Sequence, residues 1–458
     1  MDRLGKLRFA AALLALVGSV QWIATHDWRG NPPRMRGWHD GPRTGDEPHY
    51  MVALHSILFD GDFDVRDDYA SAAAGGWEAG SLHRGRVLDH HTILFDRETG
   101  KNDIWGTIWK FNDPQPCDSP GCVPFRMIKP HGFDDLTRVV EVPAHPPAFP
   151  MILAAALWPF SPEPENLDEA AARALRLFGS LAVVATALTV LALGLGPRLA
   201  LLAAALLGLA SPWLAYNKSF FSEGTASTVL IAALLSLVSG VPWAAALFAV
   251  VAMWIKPALV VVGAGWILER LHAGDRRSAA WITGVMALGG FALLGFNFAV
   301  GGRPMFSGAA AWVAPEGFDT AWRTLFGKRY GLVSFVPWLA VVFVALVRSG
   351  SNVGSNGTGR LRFQVGIPVA LHWVLLSSYG AMGQTCYGPR YWIPFIPWFA
   401  VCAAVAASEG GRWVRVALGV TGVATALLSI PAALQYLHVW DDSPYDGFLQ
   451  MGAVLIGR

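Results

Sequence analysis

Residues Phe9 to Ala24 read FAAALLALVGSVQWIA, an apolar run introduced by Arg3, Lys6 and Arg8. A basic start followed by such a run is the pattern of a secretory leader or of a first membrane helix. No small-x-small cleavage site follows it, and many further apolar runs lie downstream. The expected element is an uncleaved first helix with its N-terminus in the cytoplasm, occupying the segment 1–26.

The rest of the chain agrees with a membrane setting. Over 458 residues, 53% are hydrophobic and only 15% charged, with a mean hydropathy of +0.40. That much apolar surface exceeds what a soluble core of this size buries. A net charge of +2 excludes a nucleic-acid partner, and the charges that exist cluster between the apolar runs.

Between the first run and the next long one lies a polar segment, 27–174, which the orientation of the first helix places outside the cell. Within it Tyr50, Ala53, Leu54, Ile57 and Leu58 follow the i, i+3, i+4, i+7, i+8 pattern of a helix face. The spacing predicts a short amphipathic helix lying along the membrane surface. Asp60, Asp62 and Asp64 stand at the first three ligand positions of a calcium loop, but Val65 and Ser71 break that pattern, so the aspartates are expected to form a turn that positions Arg66. Ala148 to Phe160, after His145-Pro146-Pro147, is apolar yet short for a span and is expected as a second surface or half-inserted helix.

From Leu175 the apolar runs come quickly, at 175–195, 199–215, 224–239, 241–256, 257–270, 279–299, 331–347, 364–381, 391–408 and 414–436. With the first helix this makes about 11 spans. Lys256-Pro257 leaves open whether 241–270 is two helices or one long kinked one. Arg198, then Arg270, Arg276 and Arg277, then Arg348, Arg360 and Arg362, then Arg412 and Arg415 recur on the side assigned to the cytoplasm. The expected fold is an all-α polytopic membrane protein: a bundle over 175–436, the long first outer loop with juxtamembrane helices, and a short outer tail, 437–458. A bacterial inner membrane suits it.

The remaining charges gather on the outer side. Asp46 and Glu47, just after the first helix, suit a general base, a metal ligand or both, since a carboxylate shielded at the membrane surface keeps its charge while losing competing water. They equally suit the N-terminal end of the helix that Pro48 introduces, where the dipole favours acids. Lys218, Lys256, Lys328, Arg329 and Arg390 lie near outer helix ends, as donors to a lipid-linked phosphate would. Interfacial snorkelling explains one such cation more easily than five.

Other residues carry weaker signals. His83, Asp89, His90 and His91 form a polar loop that suits acceptor contact better than zinc. Cys117 and Cys122 flank a Pro-Gly turn, and an outer loop permits a disulfide there; two thiolates without further ligands argue against a metal. The 20 tryptophans are expected mainly at membrane interfaces, with Trp77, Trp105 and Trp109 available to stack on sugars.

Taken together, Gly45-Asp46-Glu47-Pro48-His49-Tyr50 resembles the Asp-Glu signature in the first outer loop of GT-C class glycosyltransferases, which include protein O-mannosyltransferases and lipid A aminoarabinose transferases. His145-Pro146-Pro147 with Arg176, Asn297 with Gly301-Gly302-Arg303-Pro304, and Gly383 through Tyr391 followed by Pro394 and Pro397 resemble further patches of that class in the same order. The resemblance implies a sugar donor on a polyprenyl phosphate, with a glycan, lipid or protein as acceptor and membrane lipids around it. By residue it implies Asp46 as base and Glu47 as support. Arg390, with Lys328 or Arg329, becomes the phosphate clamp, Lys218, Lys256 and Tyr391 lie beside the donor, and Glu223, His49, His90 and His91 face the acceptor or loop. No cofactor is fixed, and a divalent cation on Asp46 and Glu47 stays open.

Two departures accompany it. Leu437 to Arg458 is too short for the soluble C-terminal domain some members carry, and Pro48 directly follows the acidic pair. The sugar and the acceptor stay undetermined. A transporter or flippase of lipid-linked saccharide, or a non-catalytic assembly subunit, are the rival expectations. The first predicts charges at the bilayer midplane and an internal repeat, and no repeat is visible.

Overall fold

The computed structural model of the chain describes residues 3–25, 47–68, 92–104, 109–111, 125–127, 132–133, 135–217, 219–303, 318–328, 331–348, 357–378 and 389–434. Helix dominates them, because in an apolar medium each backbone N–H and C=O must find its partner within the chain. Helix α1 (Arg3–Thr25) is followed by α2 (Glu47–His55), α3 (Ala148–Leu157), α4 (Leu167–Ala192), α5 (Pro197–Gly208), α6 (Ser222–Val238) and α7 (Pro242–Ile255). Then come α8 (Val260–His272), α9 (Arg276–Gly301), α10 (Phe318–Phe326), α11 (Trp338–Arg348), α12 (Gly357–Ser377), α13 (Ile396–Glu409) and α14 (Gly411–Leu434).

Among the described residues, 5 helical segments are long and apolar enough to cross a membrane: Leu4–Thr25, Leu167–Ala192, Arg276–Gly301, Arg390–Glu409 and Gly411–Leu434. The apolar helices α3, α5, α6, α7 and α11 are shorter. The chain is thus a helical membrane protein. Helix α4 packs on α5 and α6, α6 on α7, α7 on α9, and α8 on α9 and α12, while α13 runs through the middle against α4, α5 and α11. Every residue of α13 from Ile396 to Ala407 is buried. Gln21 Nε2 ties α1 to α4 by donating to Arg176 O at 2.7 Å and Ser180 Oγ at 2.5 Å.

The question left by Lys256-Pro257 is resolved as two helices. Proline lacks the N–H that would continue α7 and pushes the preceding residue out of the helical region. Lys256 is accordingly extended, at φ −143° and ψ 106°, and a single 3-10 turn, Pro257–Leu259, leads into α8.

Two expectations are corrected. The residues from His49 to Ser56 are buried without a break, so α2 is not an amphipathic surface helix but one enclosed on all sides. It packs against α3 and the strand Val139–Pro143. The polar segment after α1 is not helix and coil alone. Strands β1 (Thr92–Asp96), β2 (Asn102–Ile104) and β5 (Val139–Pro143) form an antiparallel sheet in the order β2-β1-β5, and β3 (Trp109–Phe111) pairs with β4 (Phe125–Met127). Among the tryptophans, Trp213, Trp266, Trp338, Trp392 and Trp398 are fully buried, whereas Trp22, Trp158, Trp243, Trp281, Trp322 and Trp413 are exposed. Four of the buried ones satisfy their indole N–H on a carbonyl of a neighbouring element: Trp266 on Gln364 at 2.8 Å, Trp338 on Ala210 at 2.7 Å, Trp392 on Thr324 at 3.1 Å and Trp398 on Leu230 at 2.8 Å.

The turn expected at Asp60–Asp64 forms. Asp62 Oδ1 accepts from Asp64 N at 2.9 Å, Asp64 Oδ1 accepts from Glu141 N at 2.9 Å, and Arg66 Nη1 donates to Leu136 O at 2.9 Å and Val139 O at 3.0 Å. Arg66 thereby fastens the acidic loop to β5. The sheet in turn meets the end of α9 where Gly302, at φ +65°, leaves room for the Phe95 ring; a Cβ there would stand 2.1 Å from it.

Candidate functional site

Helix α6 begins with Ser222 and Glu223 after the extended Phe221. An acid in the first turn complements the helix dipole, but Glu223 is also fully buried, and a buried carboxylate needs a partner. It has two. Lys256 Nζ lies 2.8 Å and Arg390 Nε 2.5 Å from the same oxygen, Oε1. Lys256 is delivered by the break between α7 and α8, and Arg390 by the 3-10 turn Arg390–Phe395 that precedes α13. That turn is held against α6 by Ser227 Oγ, which donates to Ile393 O at 2.9 Å.

Aromatic rings set the two cations in place. The Arg390 guanidinium sits 4.3 Å from the centre of the Phe221 ring, and the Tyr391 ring lies 5.7 Å from Lys256 Nζ and 6.0 Å from the guanidinium. Among the described residues, two cations share this one carboxylate. Glu223 Oε2 has no hydrogen-bond partner among the described residues.

Helix α2 reaches this cluster. The Tyr50 hydroxyl is 3.3 Å from Ser222 Oγ, next to Glu223, and its ring packs edge-on against Phe149 at 4.8 Å and beside His145 at 5.1 Å. His49 is buried with its ring 5.8 Å from His145. His145-Pro146-Pro147 therefore closes over the first turn of α2, the turn that Glu47 opens. Asp46, immediately before it, lies outside the described residues.

Of the expected phosphate ligands, the fold brings Lys256, Arg390 and Tyr391 together. Lys328 is exposed and joins no ion pair among the described residues, so it is not part of this cluster. Lys218, Arg329, His90, His91, Cys117 and Cys122 lie outside the described residues, as do His83, Asp89, Trp77 and Trp105. Glu223, expected to face the acceptor or loop, instead anchors the two cations from within the bundle.

A second constellation escaped sequence reading. At the far end of α2, His55 Nδ1 is 2.5 Å from Asp68 Oδ1 and 3.8 Å from Asp60 Oδ2. Burial, opposed by Asp60 and Asp67, lowers the His55 imidazole to about 4. Burial, reinforced by Asp60, Asp67, Asp62 and Asp64, raises the Asp68 carboxyl to about 9. Both shifts disfavour the charged forms, and the short contact joins the two side chains. The acidic run 60–68 was visible in sequence; that its last member folds back under α2 was not.

These features define a helical membrane protein with Lys256 and Arg390 gathered on the buried Glu223, beside the helix that follows the first apolar run. No protein-family model, curated protein or solved structure matches the chain.

Proposed function

We propose that the chain is an integral-membrane glycosyltransferase of GT-C type that moves a sugar from a polyprenyl-phosphate-linked donor to an acceptor on the extracytoplasmic face. The observation that carries the reading is the convergence of Lys256 and Arg390 on the buried Glu223, one residue from the serine touched by Tyr50 of α2. A phosphate at a membrane boundary needs cationic donors held in a dry setting. An ammonium carries three N–H donors, so one carboxylate oxygen does not exhaust Lys256. Tyr391 adds an aromatic wall for the donor.

In this mechanism Asp46 takes the proton of the acceptor hydroxyl. The hydroxyl oxygen attacks the anomeric carbon from the side opposite the phosphate, and the carbon–oxygen bond to phosphate breaks with its electron pair on the leaving polyprenyl phosphate. The sugar is delivered with inversion. Arg390 and Lys256 meet the charge that develops on the phosphate, Glu223 holds both in position, and Glu47 supports Asp46 or shares a divalent cation with it. The proposed topology has about 11 spans, a cytoplasmic N-terminus and the Asp46, Lys256 and Arg390 end facing out of a bacterial inner membrane.

A transporter of lipid-linked saccharide is the second reading, favoured by the helix broken at a half-buried charge, Lys256. One experiment separates them. Purified Asp46→Asn protein, supplied with a polyprenyl-phosphate sugar, is expected to bind the donor and lose turnover by about 100-fold or more. Transfer at the wild-type rate would sink the base assignment, and a wild-type chain that moves donor across a vesicle without cleaving it would favour transport. Glycolipid and polysaccharide profiles of cells lacking the protein name the acceptor through the decoration that disappears.

A further inference from the structure

The residues His55, Asp60 and Asp68 each offer one ligand atom, and these atoms all lie within 4.8 Å of one another. They come from two places in the chain, the end of α2 and the two ends of the acidic loop that follows it. Around them stand Asp62, Asp64 and Asp67, and the one cation of the loop, Arg66, is turned away toward Asp64 and the carbonyls of Leu136 and Val139. Carboxyl groups at this density are costly to ionise together.

The decisive side chain is Asp68. It is 2% exposed and its Oδ1 meets His55 Nδ1, while Oδ2, equally buried, has no hydrogen-bond partner among the described residues. A buried carboxylate oxygen without a donor is the kind of orphan that a bound ion satisfies. Asp60, at the other side of the imidazole, is exposed, so an entry path from water exists.

We propose that His55, Asp60 and Asp68 form a binding site for one divalent transition cation, which fastens the acidic loop to the end of α2. One imidazole and two carboxylates suit Zn2+ or Mn2+ better than Ca2+ or Mg2+, which favour oxygen ligands alone. Ligand atoms about 2.0–2.2 Å from zinc stand roughly 3.3 Å apart in tetrahedral geometry. His55 Nδ1 and Asp68 Oδ1, at 2.5 Å, must therefore part as the cation enters, and the proton between them is released to solvent. Asp60 Oδ2, 3.8 Å from His55 Nδ1, is already near the spacing that a shared ion requires. The site lies at the opposite end of α2 from Glu47, about 12 Å along the helix, so it is a brace and not the reacting centre. It stands independently of the glycosyl-transfer reading.

The test uses the full chain purified in detergent, stripped with a chelator, and titrated calorimetrically with Zn2+, Mn2+, Mg2+ and Ca2+ in two buffers of different ionisation enthalpy. One Zn2+ or Mn2+ per chain is expected, with proton release and a raised unfolding temperature, and Mg2+ and Ca2+ binding more weakly. Asp60→Asn, at an exposed position, is expected to lower the affinity about tenfold or more, and Asp68→Asn to abolish binding. Absence of saturable binding by the wild type, or affinity unchanged in both Asp60→Asn and His55→Gln, would overturn the proposal.

Discussion

At the scale of single residues, the buried carboxylate of Glu223 decides whether Lys256 and Arg390 stand together. Sequence shows three charges far apart in the chain; that all three point to one place inside the bundle depends on the helix break at Lys256 and on the turn before α13. Glu223→Gln keeps the shape but leaves two cations side by side without their counter-charge. Breaking a buried pair by removing one partner costs about 3–5 kcal/mol, so a lower unfolding temperature is expected together with loss of transfer. Arg390→Lys tests the geometry instead of the charge. A lysine keeps the positive charge but loses the planar group stacked on Phe221 and the fixed Nε donor. Donor affinity measured on this variant is expected to fall about tenfold, the equivalent of one lost charge-assisted hydrogen bond, while the unfolding temperature moves little. An unchanged donor affinity would remove Arg390 from the clamp.

Among the elements, long helices were legible because apolar runs bounded by Gly, Pro and Arg have one reading. The expected 224–239 and 241–256 are α6 and α7 to within a residue or two, whereas α4 starts at Leu167, well before Leu175, because its first turns are polar. Burial of α2 was not legible. His49 and His55 interrupt its apolar residues and imitate a polar face, yet both turn inward onto groups supplied by His145 and Asp68. β5 was equally hidden, since its five residues are all buried and show no alternation. Close helix contacts offer a controlled stability test. A Cβ at Gly265 of α8 would stand 2.6 Å from the Pro368 ring of α12, whereas Gly284 of α9 has nothing within 4 Å. Gly265→Ala is expected to destabilise by about 1–3 kcal/mol through overpacking. Gly284→Ala should be neutral or stabilising by up to about 1 kcal/mol, the usual helix preference for alanine. Thermal unfolding of both variants in one detergent checks the contrast, and equal shifts would show that α8 and α12 do not approach this closely.

On the scale of the whole molecule, charge is sorted to opposite ends of α8 and of the segment that leads into α13. One end holds Glu223, Lys256 and Arg390. The other holds Glu269, paired with Arg270 at 3.0 Å and with Arg360 at 2.6 Å, and the pair of Arg362 with Glu409. The arginines of this second end are those whose recurrence suggested a cytoplasmic side. Their pairing with Glu269 and Glu409 shows why the sequence alone gave an excess of positive charge but no view of the acids that hold it. The proposed orientation then makes a specific demand. In a background without native cysteines, Glu98→Cys at the tip of the β1–β2 turn and Arg412→Cys at the start of α14 are both exposed. A membrane-impermeant thiol reagent applied to intact cells should label Glu98→Cys at once and Arg412→Cys only after permeabilisation. The opposite pattern would turn the molecule over, place Asp46 and Arg390 in the cytoplasm, and remove the physical reason for an extracytoplasmic lipid-linked donor. Equal labelling at both positions would instead mean that the charged ends are not separated by a membrane, and the bundle would have to be read as lying on one side of it.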